Sequence, residues 1–272
     1  MSSSIKSGRV SKTKVKSPSQ LSRVFSKQMA KEQRKPKPLP LVERTNQLPL
    51  DQFISSYVPQ SLLEISSRKT QDANDSGSEE SPDYKMDIYT ANSIPDADFE
   101  ACFKLVEGVS DDYEKLSTGW SPSKKRKEMR LPDMKYIILR RCSRHDVTGN
   151  DDVESPQEEG EALGFTSFMV TYEDGYEVVY LYEIHLSSAV QGQGLGKQLM
   201  LKLEDIGRHI GLEKIMLTVF KSNTVAMGLY NRVGYTVDEF SPPPKILRNG
   251  TVKESSYLIL SKSLRTTSAC MN

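Results

Sequence analysis

The chain has 272 residues, 36% of them hydrophobic and 27% charged, and a formal net charge of +1. That leaves room for one ordinary domain plus tails or two small domains, with enough apolar material for a packed core and enough polar sequence for disordered segments. No run approaches the roughly 18 apolar residues of a membrane span, and the Ser/Lys-rich start lacks a signal peptide's apolar core, so a soluble intracellular protein is expected.

Residues 1–40 carry eleven Lys or Arg against one acid, Glu32. Such a stretch cannot bury enough surface to offset its ordering entropy, so it reads as a disordered basic tail, with room for a short helix around Leu21–Gln33. Its run from Lys31 to Lys37 is compatible with a nuclear-import or chromatin-attraction signal and equally with a solvated tail. Residues 41–85 read as a helical N-terminal extension followed by a linker. Leu50, Phe53, Ile54, Tyr57, Leu62 and Leu63 suit one or two short helices packed on a larger domain, and Gln71–Asp83 is rich in Ser, Asp and Glu.

From Met86 onward the texture is that of a folded α/β domain reaching about residue 265, with 266–272 as a tail. Met86–Ala91 predicts a strand. Phe99, Cys102, Phe103 and Val106 share one face of a helix. Asp111–Met129 predicts a second helical segment, broken at Ser121-Pro122. Lys135–Arg141 is a strand, and the segment 143–161 an acidic loop insertion: between Asp146 and Glu161 stand seven carboxylates and no base. Leu163–Tyr172 and Glu177–Leu186 form two strands around the turn Glu173-Asp174-Gly175. A Gly-rich turn then opens a helix through Leu195, Leu199, Leu203 and Ile206. Lys214–Phe220, Tyr235–Glu239 and Ser256–Ser261 read as strands, and Asn223–Val233 as a helix. Strands alternating with helices predict a mixed α/β sheet. Cys102, Cys142 and Cys270 are too scattered for a structural zinc site and fit a reducing compartment.

The densest stretch is Ile184-His185-Leu186 followed by Gln191-Gly192-Gln193-Gly194-Leu195-Gly196-Lys197. A strand runs into a turn with three glycines, and a helix begins. Glycines let backbone amides approach a ligand, and the first helical turn offers unpaired N–H groups at a positive dipole end, which together make a pyrophosphate cradle. Lys197 is followed by Gln198, which rules out a Walker A loop, and the period-two glycines do not match a dinucleotide-binding GxGxxG. The stretch does match [Gln/Arg]-x-x-Gly-x-[Gly/Ala], and about thirty residues later comes Asn223-x-x-Ala226-x-x-Leu229-Tyr230-x-x-x-Gly234-Tyr235. On these two ordered signatures the chain resembles the GCN5-related N-acetyltransferase (GNAT) superfamily. The resemblance implies acetyl-CoA as co-substrate without a metal, a sheet of about seven strands flanked by helices, Asn223 on the cofactor arm and Tyr230 near its sulfur.

A narrower resemblance, over Asp111–Leu264, is to the histone-specific N-terminal acetyltransferases of the NatD type. It rests on Tyr113-Glu114, Gly119-Trp120, Lys127-Glu128-Met129, Tyr180-Leu181-Tyr182-Glu183, Met216 through Asn223, Asp238 through Pro242, and Ser256-Tyr257. It implies acetylation of the α-amino group of histone H4 and the histone two-A family, which begin Ser-Gly-Arg-Gly, in nucleus and cytoplasm. It further implies a peptide groove lined by Tyr113, Tyr180, Tyr182, Thr218, Ser241 and Tyr257. Histone tails are then the partners, with ribosome or chromatin association through the basic tail, and neither a membrane nor sequence-specific nucleic acid is called for. Thr171 and Thr118 depart from that pattern, where the relatives carry an acid and a tryptophan.

The residues point to this chemistry on their own account too. An α-amino group has a pKa of about 7.7–8.0 and must lose a proton before it attacks a thioester. Strand alternation puts Tyr180 and Tyr182 on one face and Glu183 on the other, unless a bulge or a water lets both faces serve one channel. Glu183 is then the candidate general base, with Tyr182 positioning the amine, against the alternative of a structural carboxylate paired with Lys or Arg. An Arg at the third substrate position calls for a carboxylate, and Glu173, with Asp174 and Glu177 close by, is the candidate. Amides of Ile184–Leu186 would stabilise the developing oxyanion, and Tyr230 could protonate the leaving sulfur. Transfer to lysine side chains or a small amine, and a non-catalytic histone-binding module, remain as alternative readings.

Overall fold

A computed structural model describes residues 38–66, 83–109, 119–142 and 160–265. The Leu21–Gln33 helix, the linker before Asp83, Tyr113, Thr118, Cys270 and nearly all of the acidic insertion lie outside the described residues. The described residues from Pro40 to Arg265 form one compact unit.

Pro40 and Pro49 open two short helices, α1 (Leu41–Asn46) and α2 (Leu50–Tyr57). Proline suits this place because its missing N–H is one the first helical turn cannot pair in any case. After β1 (Glu64–Ser66) and β2 (Asp83–Thr90) come α3 (Asp96–Glu107), α4 (Pro122–Met129), β3 (Lys135–Arg141), β4 (Ala162–Glu173) and β5 (Tyr176–Leu186). Helix α5 (Leu195–Ile210), β6 (Lys214–Phe220), α6 (Thr224–Val233), β7 (Thr236–Val237), β8 (Lys245–Ile246), β9 (Val252–Lys253) and β10 (Tyr257–Ser263) complete the order. Within 111–129 the described helix is Pro122–Met129, where Pro122 sits in the first turn. The predicted strand Tyr235–Glu239 shrinks to two residues, because Asp238 turns its carboxylate back onto the Phe240 amide and onto Lys214, ending the ladder.

Eight strands form one mixed sheet in the order β1-β2-β3-β4-β5-β6-β10-β7, the GNAT fold, and β8 and β9 make a separate hairpin. Every pairing in the large sheet is antiparallel except β5 with β6, which α5 connects as a crossover. Because side chains alternate across a strand, β3 feeds two cores at once. Ile137 and Leu139 face the core shared with Leu199, Leu203 and Phe53. Tyr136 and Ile138 face the core shared with Phe99, Phe103 and Met129. The N-terminal helices are part of the first core, through Val42, Phe53 and Val58. Arg140 is 1% exposed, and its guanidinium is matched by Asp87 at 2.7 Å, Asp98 at 2.5 Å and the Gly160 carbonyl at 2.7 Å. A buried cation of this kind is tolerated only when its donors are met.

Two irregularities in β5 make the site. Its parallel pairing with β6 runs from Val178 opposite Lys214 to Leu181 opposite Leu217 and then stops. Beyond that point the strands fork, β5 continuing against β4 and β6 against β10. The pairing of β5 with β4 also slips there: Glu183 lies opposite Ser167 and Leu181 opposite Phe168, so Tyr182 is an extra, bulged residue.

Candidate active site

Of the two arrangements open for Glu183, strict alternation and a bulge, the structure has the bulge, and Glu183 stands on the tyrosine face. Alternation counts one side change per residue, and the inserted Tyr182 cancels one of them. Tyr180, opposite Met169, and Glu183, opposite Ser167, therefore share a face with Tyr182 between them. The two tyrosine rings lie 5.3 Å apart. His185, two residues on, shares that face and stacks on Phe165 at 5.6 Å.

The fork opens a cavity of about 1110 Å³. Its walls include Leu181–Ser188 from β5 and the residues after it, Leu217–Phe220 from β6, and Gln191, Gly192, Gly194, Gly196 and Lys197 from the turn into α5. Ser187 N–H bonds back to Leu163, whereas the Leu186 carbonyl takes the Gln191 side-chain amide at 2.9 Å. Since N–H and C=O of one residue in a strand point the same way, the amides of Leu186 and of Ile184, two back, face the fork. Gly192 and Gly194 have φ of +77° and +79°, a left-handed conformation that side chains resist, and Gly194 caps α5. The turn thereby aims backbone amides at the end of a 16-residue helix, a suitable cradle for a pyrophosphate. Fork, cavity and cradle fit an extended acyl-coenzyme in volume and in donor chemistry.

Two of the expected cofactor residues serve the turn itself. The Gln193 side chain accepts from Tyr84 Oη at 2.9 Å and donates to the Ala189 carbonyl at 3.2 Å, and Leu195 is fully buried in the core. Asn223 lines the cavity, while its Oδ1 caps α6 by accepting from the Ala226 amide at 3.0 Å. Tyr230 reaches the cavity from α6. Burial, and then the nearby charge of Glu183, push its hydroxyl well above the usual phenol range, so it stays a proton carrier at neutral pH.

Glu183 is 7% exposed. One carboxylate oxygen takes the Lys125 ammonium and the other takes His185 Nε2 at 2.7 Å. Burial alone would raise its pKa, but the His185 hydrogen bond and the Lys125 charge outweigh burial and hold it below the ordinary 4.5. Lys125 also meets Glu128 at 2.7 Å. A Lys or Arg partner for Glu183 is the alternative that the sequence left open, and it is Lys125, which the sequence did not single out. The signal was present: Lys125 and Met129 are four apart on one helical face, and both are buried.

The groove residues sort into two kinds. Tyr180 and Thr218 share a hydroxyl hydrogen bond of 2.6 Å across the fork. Burial raises the hydroxyl pKa of Tyr180 against the lowering Thr218 hydrogen bond, and the nearby Glu173 carboxylate adds to the rise there and at Tyr182. Burial first, and Asp174 next, raise the Glu173 pKa. Thr171 is on the same face as Glu173, two residues before it on β4, and half-buried. Ser241 is different: its Oγ accepts from the Ile259 amide at 3.1 Å, pinning the turn after β7 to β10. Among the described residues no cluster of His, Cys, Asp or Glu could hold a metal ion, and no helix is long and apolar enough to cross a membrane.

Residues 118–235 match the family model described as the acetyltransferase (GNAT) family. N-alpha-acetyltransferase 40 of Saccharomyces cerevisiae is 36% identical over 98 residues, 29% of this chain and 34% of that protein. The L-methionine sulfoximine/L-methionine sulfone acetyltransferase of Salmonella typhimurium is 28% identical over 87 residues, 32% of this chain and 51% of that one. The chain thus spans only a third to a half of the curated relatives it matches. The crystal structure of the ribosomal-protein-S18-alanine N-acetyltransferase from Escherichia coli covers 69% of this chain and 99% of its own, with a TM-score of 0.41 and 16% identity. The segment 118–235 is thus similar in sequence to the acetyltransferase (GNAT) family.

Proposed function

We propose that the protein is an N-α-acetyltransferase that moves an acetyl group from acetyl-CoA to the amino terminus of a protein beginning Ser-Gly-Arg-Gly, as histone H4 and the histone two-A family do. The observation that carries this reading is the bulge at Tyr182, which turns Glu183 onto the tyrosine face at the mouth of the fork. Similarity to N-alpha-acetyltransferase 40 supports the choice of an α-amine.

Acetyl-CoA supplies the acetyl group as a thioester whose carbonyl is open to an amine. The glycine turn and the N-terminus of α5 hold the phosphates, and the Ile184 and Leu186 amides face the position of the carbonyl oxygen, where negative charge develops. Tyr180 and Tyr182 walk the peptide's first residues toward the fork, and Glu173 matches the Arg at its third position. The amine arrives largely protonated. Glu183, an anion held between Lys125 and His185, takes that proton through a water. As the C–S bond breaks, the adduct nitrogen would lose its second proton to water, and Tyr230 would protonate the departing sulfur and be reprotonated from solvent. Direct transfer with both substrates held together accounts for the chemistry through proximity. Histone tails are then the partners, and a nuclear and cytoplasmic location follows.

Mass spectrometry on a Ser-Gly-Arg-Gly peptide with a free or a blocked N-terminus tests the assignment. Acetylation of the free amine alone is expected. Acetyl groups on lysines of the blocked peptide would move the activity to side chains.

A further inference from the structure

We infer that Lys125 is a positioning residue that keeps the reacting carboxylate, Glu183, anionic and aimed at the fork. This rests on the acetyltransferase reading above and adds to it a residue that reaches the site from a separate helix.

Both side chains of the pair are 8% exposed, on α4 and β5, 58 positions apart in sequence. A carboxylate this buried reverts to the neutral acid unless a charge offsets its lost hydration. His185 serves Oε2 but is a cation only when protonated, so the permanent charge comes from Lys125 on Oε1. Among the described residues, Glu128 on α4, Tyr182 on β5, Tyr136 on β3 and Tyr230 on α6 also stand near the pair and bring no positive charge to it. Glu128 draws part of the ammonium toward the surface, so Lys125 spans the two acids and fixes the height of α4 over the bulge. The anchoring is reinforced by Tyr136, whose hydroxyl bonds the Met129 carbonyl at the end of α4. Helix, bulge and carboxylate are therefore locked together. A bulged strand, released from one pairing, needs such a partner to hold its side chains in one geometry.

The test compares the full chain with Lys125→Met and Lys125→Arg, following kcat at saturating free-amine Ser-Gly-Arg-Gly peptide against pH, with acetyl-CoA affinity measured by calorimetry. In Lys125→Met the acidic limb is expected to move up by one pH unit or more, with kcat at least tenfold below wild type on that limb and recovering as pH rises above it. Acetyl-CoA affinity should stay within twofold, and Lys125→Arg should bring the limb back toward wild type. A wild-type limb in Lys125→Met, or a loss that Lys125→Arg does not reverse, overturns the inference while leaving the acetyltransferase reading intact. If Lys125→Met does not fold, Lys125→Gln, which keeps a hydrogen-bond donor without the charge, replaces it; the limb should again move up, and a wild-type limb overturns the inference. No turnover by the wild-type chain on the free-amine peptide sinks both readings together.

Discussion

Tyr180 and Thr218 join their hydroxyls at 2.6 Å where the fork opens, Tyr180 still paired with Met216 and Thr218 one residue past the last residue of β6 that pairs with β5. The bond fixes how far the strands part on the peptide side and orients the Tyr180 ring toward Tyr182. Thr218→Val keeps the shape and removes the partner. The expected result is a KM for the peptide raised about fivefold, the equivalent of roughly 1 kcal/mol, with acetyl-CoA affinity unchanged by calorimetry.

Gly194 has φ of +79° and nothing within 4 Å of where a Cβ would stand. Gly194→Ala therefore tests backbone strain alone. A cost of about 1–2 kcal/mol at this left-handed position would tilt the turn out of its conformation. Affinity for acetyl-CoA should fall about tenfold, while Gly228→Ala, a helical site, should leave it unchanged. Equal affinities for both variants would remove the turn from the phosphate site.

Glu183 makes activity and stability depend on pH in a linked way. Its pKa is lowered on folding, so the stabilisation is complete above the ordinary 4.5 and is lost as pH falls through the lower folded-state value. Thermal unfolding of Glu183→Gln should show a smaller loss of stability than wild type over that acid window. At neutral pH the same variant should lose about 100-fold or more in kcat, because a neutral amide takes up no proton. Retained turnover would make Glu183 purely structural.

Glu173 is the proposed partner of the substrate arginine. Glu173→Gln should raise KM for an Arg-bearing peptide about tenfold and hardly alter it for a peptide with Ala at that place. Equal effects on both peptides would assign Glu173 to the shape of the groove rather than to arginine.

The readable parts of the site are those set by short-range rules. Gly192 and Gly194 announce a left-handed turn, Asn223 three residues before Ala226 announces a helix cap, and the apolar spacing of Leu195, Leu199 and Leu203 announces the helix that receives the phosphates. Each is a property of a few neighbouring residues. Strict alternation along Tyr180-Leu181-Tyr182-Glu183 led the other way, because an alternation count has no means of registering an inserted residue.

What the chain determined by itself was the longer helices and strands and the glycine turn, since φ preferences, caps and helical spacing act within one turn or one strand; β1, β8 and β9 are too short to carry such a pattern. Tertiary structure alone decided that Tyr182 bulges, that β5 and β6 part after Leu181 and Leu217, and that Lys125 meets Glu183. Register and long-range pairing are chosen by the fit of whole strands and helices against each other. The energy of a buried ion pair depends on groups that come together only after the sheet and α4 have packed.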